Sequence, residues 1–499
     1  MAFFDARLLY LIFFLLLLLF GSVESTGNKA AQVCVVGAGI GGSSVSYFLK
    51  QLSCSNANVP CLNDILILER RSRIGGRMAT VTIAGDTFEA GASIIHPKNL
   101  HAVRFASLLG LRPRSKSSDG SWFSVWDGSR FIFETLPPPP SSCLAIYRKI
   151  HSLVNALLIF RRYGFSLLRM NRFVNRMLHR FMLFYKEYES RPVFETVEEM
   201  LKWTRLYELT RRTLKEELLD AGLSPQLISE LVTVITRINY GQNVDISGLA
   251  GAVSLAGSDD GLWSVEGGNW LLAAGLINYS NVTLHLQEEV ASIAYDEGYY
   301  VISSTNGIHY NCNVTVIATP LDEQSISFTP PISIPSRKMQ HTFTTFIRGL
   351  LNPKYFGLNR VSEIPNLIGT VETPEVPFSS ISVLKKYTED DMTFKIFSRE
   401  PIDDSLLDQI FSSRKETIRI DWPAYPHYEA PEVFAPIILD GKHLYYINSF
   451  ENAASTIETS AVAAENVARL IISRLSGMPL NMIKQKTKTT NPDIQHLDL

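Results

Sequence analysis

The chain has 499 residues, which is more than one hydrophobic core of ordinary size organises, so two domains are expected. Its formal net charge of −2 excludes the clustered basic surface that is typical of nucleic-acid-binding proteins. The hydrophobic content of 46% is high for a soluble protein, and part of it comes from the N-terminal end.

Residues 1–25 are predicted to be a signal peptide. Arg7 supplies a positive charge, an unbroken apolar run covers Leu8–Phe20, and small residues follow near Ser25. The apolar run is shorter than the roughly 20 residues that span a bilayer. The mature chain is therefore expected to enter the secretory pathway. Three N-glycosylation sequons agree with this destination, at Asn278, Asn281 and Asn313.

The five cysteines leave at least one thiol unpaired. Cys34 is predicted to be a buried free thiol, because it lies in an apolar strand. Cys54 and Cys61 flank a short polar loop and could form a disulfide in an oxidising compartment. Cys143 and Cys312 have no obvious partner. Since no C-x-x-C or paired-histidine motif occurs, no metal site is expected.

A glycine-rich turn organises the rest of the chain. Val33–Val36 predicts a buried strand, and Gly37, Gly39 and Gly42 follow with the spacing G-x-G-x-x-G before an amphipathic helix. In a dinucleotide-binding fold the first glycine permits the tight turn, the second admits the pyrophosphate, and the third allows helix and strand to pack closely. The N–H groups at the start of the helix then face the phosphates.

Two later features strengthen this interpretation. Ile65–Leu68 predicts a second buried strand, and Glu69 ends it 27 residues after Gly42, where a carboxylate can accept hydrogen bonds from a ribose. A second glycine pair with basic neighbours follows in Glu69–Arg77. Together with the glycine turn, these features predict a bound dinucleotide.

A β-hairpin is predicted over residues 79–88, and small residues follow it at Gly91, Ala92 and Ser93. Such residues permit close approach of the backbone to a flat ligand, although a plain turn explains them too. Asn239–Leu276 is likewise rich in glycine, alanine and tryptophan, and is interpreted either as backbone against a ligand or as a tight inter-domain crossing.

The segment from Ala145 to Arg237 has helical periodicity, with arginines interleaved among apolar residues. Three interpretations stay open: a membrane-surface contact, the wall of a pocket for an apolar substrate, or an amphipathic helix with a solvated basic face. The interleaved arginines are Arg161, Arg162, Arg169, Arg172, Arg176 and Arg180.

Strands return from Val282 onward, and a strand followed by the helix Thr456–Leu475 closes the chain. The predicted fold is α/β: a Rossmann-type domain, an intertwined α+β substrate domain and a helical insertion. The Rossmann-type domain comprises residues 26–136, 241–320 and 441–478, the helical insertion 137–240, the substrate domain 321–440 and a polar tail 479–499.

These parts resemble the FAD-dependent amine oxidases and their relatives. Three stretches are similar to the prenylcysteine oxidase, or farnesylcysteine lyase, family within that superfamily, and agreement covers most of residues 31–475. They are Asn239–Gln242, Gly251–Gly257 and Leu262–Asn269.

The resemblance implies non-covalent FAD and a reaction that converts S-prenyl-L-cysteine, O2 and water into a prenyl aldehyde, cysteine and hydrogen peroxide. A hydride would pass from C1 of the prenyl group to N5 of the flavin. Animal members of the family are lysosomal, so the resemblance implies a lysosome or vacuole.

Cofactor contacts are also implied, residue by residue. At the adenosine end, the resemblance places Glu69 at the ribose and Val290 at the adenine. It places Gly37, Ala38, Gly39 and Gly42 at the pyrophosphate, and Arg70, Gly76 and Arg77 along the diphosphate and ribityl chain. At the flavin end it places Gly91, Ala92 and Ser93 at the isoalloxazine, together with Glu451. Related oxidases often carry Gly-Asp near that end, whereas this chain has Ser449-Phe450-Glu451. His96 is the candidate acid or base for water addition, with a structural role as the alternative.

Two other functions are considered. An amine or polyamine oxidase would need acidic residues for a cationic substrate, whereas the middle of this chain is basic and aromatic. A non-enzymatic prenyl-binding escort, like the Rab GDP-dissociation inhibitors, would not need the glycine turn, Glu69 and Arg77, nor a signal peptide.

Overall fold

The computed structural model describes residues 29–55, 60–114, 122–139, 145–185, 191–259 and 261–477. The predicted signal peptide, the predicted tail and Cys143 lie outside these ranges.

The first of two large sheets has a parallel centre, in which β1 is paired with β2 on one side and with β10 on the other. The strand order is β11-β8-β9-β10-β1-β2-β7, and β17 pairs with the end of β10. Its strands are β1 (Lys29–Val36), β2 (Ile65–Glu69), β7 (Thr283–Leu286), β8 (Val290–Asp296), β9 (Tyr299–Ser304), β10 (His309–Ile317), β11 (Ser327–Thr329) and β17 (Leu444–Tyr446). The short apolar runs of β1 and β2 are buried because helices and strands cover both faces of a parallel sheet.

The helices form one group at the first sheet and a cluster from the middle of the chain, and one further helix packs on the second sheet. They are α1 (Ile40–Ser55), α2 (Leu100–Leu108), α3 (Ala145–Tyr163), α4 (Ser166–Phe181), α5 (Val197–Trp203), α6 (Leu214–Asp220), α7 (Pro225–Leu227), α8 (Thr233–Tyr240), α9 (Gly248–Ala256), α10 (Trp270–Ser280), α11 (Asp404–Ile410) and α12 (Ile457–Ser476). The first and last helices, α1 and α12, pack against each other. The predicted helix from Thr456 is confirmed as α12, whose first turn the Thr456 hydroxyl caps. Among the residues that the structure describes, no helix is both long and apolar enough to cross a membrane.

The second large sheet carries the predicted substrate domain, with strand order β16-β12-β15-β14-β13-β5-β6. Its strands are β5 (Phe123–Trp126), β6 (Phe131–Glu134), β12 (Met339–Leu351), β13 (Leu367–Thr370), β14 (Ser380–Thr388), β15 (Asp391–Ser398) and β16 (Phe411–Pro426). A separate pair of strands, β3 (Thr80–Ile83) and β4 (Asp86–Glu89), confirms the hairpin predicted over residues 79–88.

The positions of three elements shift the predicted domain boundaries. Strands β5 and β6 lie within residues 26–136, which were predicted to belong to the Rossmann-type domain, yet they belong to the second sheet, because β5 pairs with β13. Strand β11 lies after residue 320 yet extends the first sheet beside β8. Helix α9 packs on α4, α6 and α8, so it belongs with the helical insertion.

The prediction of a free thiol at Cys34 is wrong. Cys34 is bonded to Cys312, with the two Cα atoms 5.8 Å apart, and the disulfide links the neighbouring strands β1 and β10. The two cysteines are 278 residues apart in sequence, so the pairing becomes visible only once the strands are placed side by side. The bridge between Cys54 and Cys61 is confirmed.

Candidate functional site

One large cavity begins at the carboxyl ends of β1 and β2 and reaches the second sheet and the helical cluster. In open α/β sheets this edge is where ligands bind, because the connections diverge there. The lining includes the glycine turn, strands β12, β15 and β16, helix α4 and the start of α12.

The glycine turn has the tight geometry that the sequence predicts. A Cβ atom on Gly42 would lie 1.9 Å from the carbonyl oxygen of Gly37, so only glycine lets α1 begin so close to the turn. Gly37, Gly39 and the first residues of α1 line the cavity, whereas Ala38 and Gly42 do not. Gly42 packs behind the turn, as the role of the third glycine predicts, and the contacts of Ala38 and Gly42 with a pyrophosphate stay predictions.

Glu69 anchors the end of β2 to the turn. Its carboxylate accepts the Ala38 N–H at 2.8 Å through one oxygen and the Arg71 N–H at 2.9 Å through the other. Of the two adjacent arginines, Arg70 is exposed and donates to Gln324 at 3.3 Å. Arg71, one of the basic residues in the Glu69–Arg77 segment, donates to the Gly76 carbonyl at 3.2 Å and lies 5.6 Å from the ring centre of Trp422.

Glu451 forms a charged cluster at another part of the lining. Its carboxylate accepts hydrogen bonds from Arg77 and, at 2.8 Å, from Arg337, which also donates to Asp322 at 2.7 Å. Burial alone would raise the pKa of Glu451, but the two guanidinium groups outweigh burial and hold this pKa at about 2. The Glu451 carboxylate is therefore ionised at physiological pH, and Glu451, Arg77, Arg337 and Asp322 are called the Glu451 cluster below.

The second sheet fixes the loop of Gly91, Ala92 and Ser93. A Cβ atom on Gly91 would lie 1.9 Å from the Arg77 carbonyl oxygen, so the loop approaches the backbone of the Arg77 segment closely. The ammonium of Lys395 donates to the Ser93 hydroxyl at 3.1 Å and to the Glu89 carbonyl at 3.0 Å. All three loop residues line the cavity, so Lys395 controls the position of the backbone there.

The ionisable groups beside this loop have shifted pKa values. Burial lowers the pKa of Lys395 to about 8, although the Glu89 carboxylate opposes the shift. Burial raises the pKa of Glu89 to about 7. The Asn269 N–H donates a hydrogen bond of 2.7 Å to this carboxylate and opposes the increase. Glu89 and Lys395 therefore both titrate close to neutral pH.

The part of the cavity nearest the helical cluster is apolar. Helix α4 contributes Met177, Leu178 and Phe181, and the segment rich in small residues contributes Val253 and Leu262. Helix α9 in that segment packs on neighbouring helices of the insertion and also lines the cavity, and its contact with a ligand stays a prediction.

His96 lines the cavity, as predicted, but both of its ring nitrogens have protein partners. Nδ1 accepts the Lys98 N–H at 3.0 Å, so Nε2 carries the hydrogen and donates to Asp259 at 3.2 Å. These contacts fix the ring orientation, and the catalytic role of His96 stays a prediction.

A dinucleotide fits these residues. The glycine turn, Glu69 and Val290 lie along one part of the cavity, and Gly91–Ser93 and Glu451 lie along another, so a ligand of this length can contact all of them. Among the described residues, the buried hydroxyls of Thr342 and Thr344 have no hydrogen-bond partner, and both side chains line the cavity. Buried polar groups rarely stay unpaired, so these hydroxyls indicate a bound polar ligand.

Three residues of the site were missed from the sequence: Arg337, Lys395 and Trp422. Lys395 had a signal, because it lies in the apolar run of β15 where alternation places Thr393, Lys395 and Phe397 on one face. The segment around Arg337 carries no periodic pattern. Trp422 donates to the Ala90 carbonyl at 2.8 Å, a contact that depends on the placement of β16.

Comparisons with known proteins agree with this arrangement. A family model described as prenylcysteine lyase matches residues 146–485, and one described as an NAD(P)-binding Rossmann-like domain matches residues 35–108. The farnesylcysteine lyase of Arabidopsis thaliana is 58% identical over 461 residues, which cover 91% of each chain. Human prenylcysteine oxidase 1 is 32% identical over 477 residues, which cover 89% of this chain and 90% of that protein.

Solved structures show the same fold at low sequence identity. Cyclohexylamine oxidase from Brevibacterium oxydans has a TM-score of 0.57 and 17% identity, and the match covers 89% of this chain and 99% of that chain. A putrescine oxidase bound to putrescine has a TM-score of 0.55 and 14% identity, with coverage of 90% and 100%.

Proposed function

The chain belongs to the prenylcysteine lyase family, and from this premise we propose that it is a FAD-dependent oxidase that cleaves S-prenyl-L-cysteine. The products are a prenyl aldehyde, free cysteine and hydrogen peroxide, with O2 and water consumed. The observation that carries the proposal is the cavity itself, in which a dinucleotide site continues into an apolar wall.

FAD is the cofactor, and the residues of the cavity support specific contacts to it. We propose that the glycine turn and the start of α1 bind the diphosphate, that Glu69 binds the ribose and that Val290 contacts the adenine. Gly91–Ser93 would then face the isoalloxazine, with the Glu451 cluster at the same end of the cofactor. When bound, FAD accepts the hydride from C1 of the prenyl group and passes two electrons to O2.

The protein's own contribution is orientation and exclusion of water. Met177, Leu178 and Phe181 offer an apolar wall for the prenyl chain, which favours a substrate with a long hydrocarbon group. Lys395 is a positioning residue in this proposal, because it holds Ser93 and the Glu89 backbone rather than contacting the substrate. For His96 to act as the acid or base in water addition, its Nε2 would have to exchange Asp259 for the water.

An amine oxidase is the second candidate function. The similarity to cyclohexylamine and putrescine oxidases supports the fold alone, since the identities are 17% and 14%. The 58% identity to a farnesylcysteine lyase over 91% of each chain favours the thioether substrate. Binding of FAD argues against an escort protein without a flavin.

The proposed site of action is the secretory pathway, with a lysosome or vacuole as the final compartment and contact with a membrane surface. In support, Asn278, Asn281 and Asn313 are all exposed and therefore accessible to glycosylation. The two disulfides also suit an oxidising compartment.

The test is product formation by the purified yellow protein. S-farnesylcysteine should yield hydrogen peroxide, farnesal and cysteine in equal amounts, whereas spermine and a saturated thioether should yield none. Peroxide from spermine instead would show an amine oxidase. A flavin that none of these compounds reduces would contradict the substrate assignment while leaving the fold intact.

A further inference from the structure

Helix α3 turns its apolar face away from the protein. Five large apolar side chains recur every three or four residues, which places them in one stripe along the helix. Each of these five side chains is 41–66% exposed. The stripe consists of Ile146, Ile150, Leu153, Leu157 and Phe160.

The opposite face of α3 contacts the protein, through polar side chains along most of its length and through Ile159, which packs against the hydrophobic core. Asn155 accepts the Leu136 N–H at 2.7 Å, and His151 is 2.8 Å from the Pro137 carbonyl oxygen. Arg162 binds Glu230 through two hydrogen bonds of 2.6 and 2.9 Å. A surface helix of a soluble protein ordinarily has the reverse orientation, so this one is built for an apolar contact.

The stripe continues into the start of α4. Phe165 and Leu168 are exposed, and the ring centres of Phe160 and Phe165 are 5.4 Å apart. Among the described residues, eight of the sixteen exposed large hydrophobic side chains lie within residues 146–168. This concentration makes the α3–α4 hairpin, residues 145–181, the principal apolar surface of the described chain.

The charge around the stripe is strongly positive. Residues 145–185 contain seven arginines and one lysine but no aspartate or glutamate, whereas the whole chain has a formal charge of −2. Arg161, Arg172 and Arg176 are exposed. An apolar stripe flanked by cations matches the acyl chains and anionic headgroups of a bilayer surface. A second copy of this basic hairpin would instead be repelled.

The hairpin is also connected to the cavity. Helix α4 runs from exposed Leu168 at its start to Met177, Leu178 and Phe181, which line the cavity. The path from Phe165 to Met177 is 12 residues along the helix axis, or about 18 Å. One helix therefore has its first turn at the apolar surface and its last turns in the cavity wall.

We propose that the α3–α4 hairpin lies on an anionic lipid bilayer and that the substrate reaches the cavity from that bilayer. The lipid contact is independent of the reaction, whereas the delivery step rests on the proposed function, since only a prenylated substrate would dissolve in the bilayer. The hairpin would lie in the plane of the interface, with the stripe among the acyl chains.

Vesicle flotation tests the lipid contact. The probes are phosphatidylcholine vesicles with and without phosphatidylserine. The variant Ile150→Ser/Leu153→Ser/Leu157→Ser should lower the bound fraction about tenfold or more on the mixed vesicles. The matched control Leu219→Ser/Leu286→Ser/Val433→Ser removes three exposed apolar side chains elsewhere and should bind like the unmodified protein.

A charge variant tests the headgroup contact. Arg161→Gln/Arg172→Gln/Arg176→Gln should weaken binding to phosphatidylserine vesicles by about a hundredfold, since each cation near the surface contributes separately. The control Arg112→Gln/Arg130→Gln/Arg360→Gln removes three exposed arginines elsewhere and should change little.

Activity separates the lipid contact from the reaction. The stripe variant should keep its kcat and KM with dispersed farnesylcysteine, but its KM should rise about tenfold with substrate held in vesicles. Equal vesicle binding by the stripe variant and its control would overturn the proposal. The proposal would also be overturned if the unmodified protein were a dimer that bound no vesicles and if the stripe variant were a monomer. Loss of turnover by the unmodified protein would instead contradict the proposed function.

Discussion

Two carboxylates next to the cofactor cavity, Glu451 and Glu89, are almost equally buried but differ in charge state. Glu451 is 4% exposed and Glu89 is 7% exposed, so burial raises the pKa of both. Arg77 and Arg337 contact the Glu451 carboxylate directly and hold its pKa at about 2. The Glu89 carboxylate instead accepts a hydrogen bond from the Asn269 N–H, and the pKa of Glu89 is about 7.

The comparison shows that direct guanidinium contacts, rather than depth, decide which buried acid keeps a fixed charge. The Glu451 cluster is a permanent ionic link between the Arg77 segment, Arg337 and the residues before α12. The Glu89–Lys395 region gains or loses charge near neutral pH, beside the loop proposed to face the isoalloxazine. The first region should govern stability, and the second should govern turnover and its pH dependence.

Glu451→Gln removes the central carboxylate of the Glu451 cluster and has the largest expected effect on stability. It leaves Arg77 without a carboxylate partner and Arg337 with Asp322 alone, which should lower the free energy of unfolding by about 3–5 kcal/mol. Urea denaturation measures the loss. Glu363→Gln, which removes an exposed ion pair with Arg360, is the control and should cost less than about 1 kcal/mol. Equal losses in the two variants would show that the buried cluster has no special role.

Lys395→Met removes the donor that positions Ser93 and the Glu89 backbone. We expect flavin reduction by farnesylcysteine to slow by about a hundredfold, because small displacements of a reacting geometry have effects of this size. Stopped-flow absorbance measures the rate. Lys415→Met, at a half-exposed lysine on the same sheet, is the control and should leave the rate unchanged. The positioning role would be contradicted if Lys395→Met reduced its flavin at the parent rate and if that rate depended on pH as it does in the parent.

Glu89→Gln tests the raised pKa of Glu89 through the pH dependence of the free energy of unfolding. Since the pKa of Glu89 is raised from 4.5 to about 7, the folded state keeps a proton that the unfolded state has released between these values. The stability of the parent should therefore fall as pH rises through this window. As pH rises from the lower to the upper value, the variant should gain about 3 kcal/mol relative to the parent. Parallel curves of unfolding free energy against pH would exclude the raised pKa.

Asp322→Asn tests the outer part of the Glu451 cluster and has the smallest expected effect. Arg337 would keep its contact with Glu451 and lose one charged acceptor at 2.7 Å, so the loss should be about 1 kcal/mol. Chemical denaturation would detect it. A loss as large as that of Glu451→Gln would mean that Arg337 acts mainly through Asp322.

The dinucleotide side of the site was readable in the sequence because its residues are local. The spacing of Gly37, Gly39 and Gly42, with Glu69 at the end of the next strand, follows from the strand–turn–helix geometry of one βα unit. The close packing that the third glycine predicts is confirmed at Gly42, where a Cβ atom would lie 1.9 Å from the Gly37 carbonyl oxygen.

The part of the site that the second sheet forms could not be predicted from the sequence, because it depends on pairing between strands that are far apart along the chain. Lys395 meets Ser93 across 302 positions of sequence, and Arg77 meets Glu451 across 374. The same cause explains the error at Cys34, whose partner is 278 residues away. No local pattern specifies which strands become neighbours, so these contacts required the tertiary structure.

The most direct test of the account is anaerobic reduction of the bound flavin by S-farnesylcysteine carrying deuterium at C1 of the farnesyl group. The account predicts that the unlabelled compound bleaches the flavin, that the deuterated one does so more slowly, and that readmitted O2 releases one hydrogen peroxide per farnesal. Bleaching by spermine, or a rate of reduction that deuterium at C1 leaves unchanged, would contradict hydride transfer from the prenyl carbon.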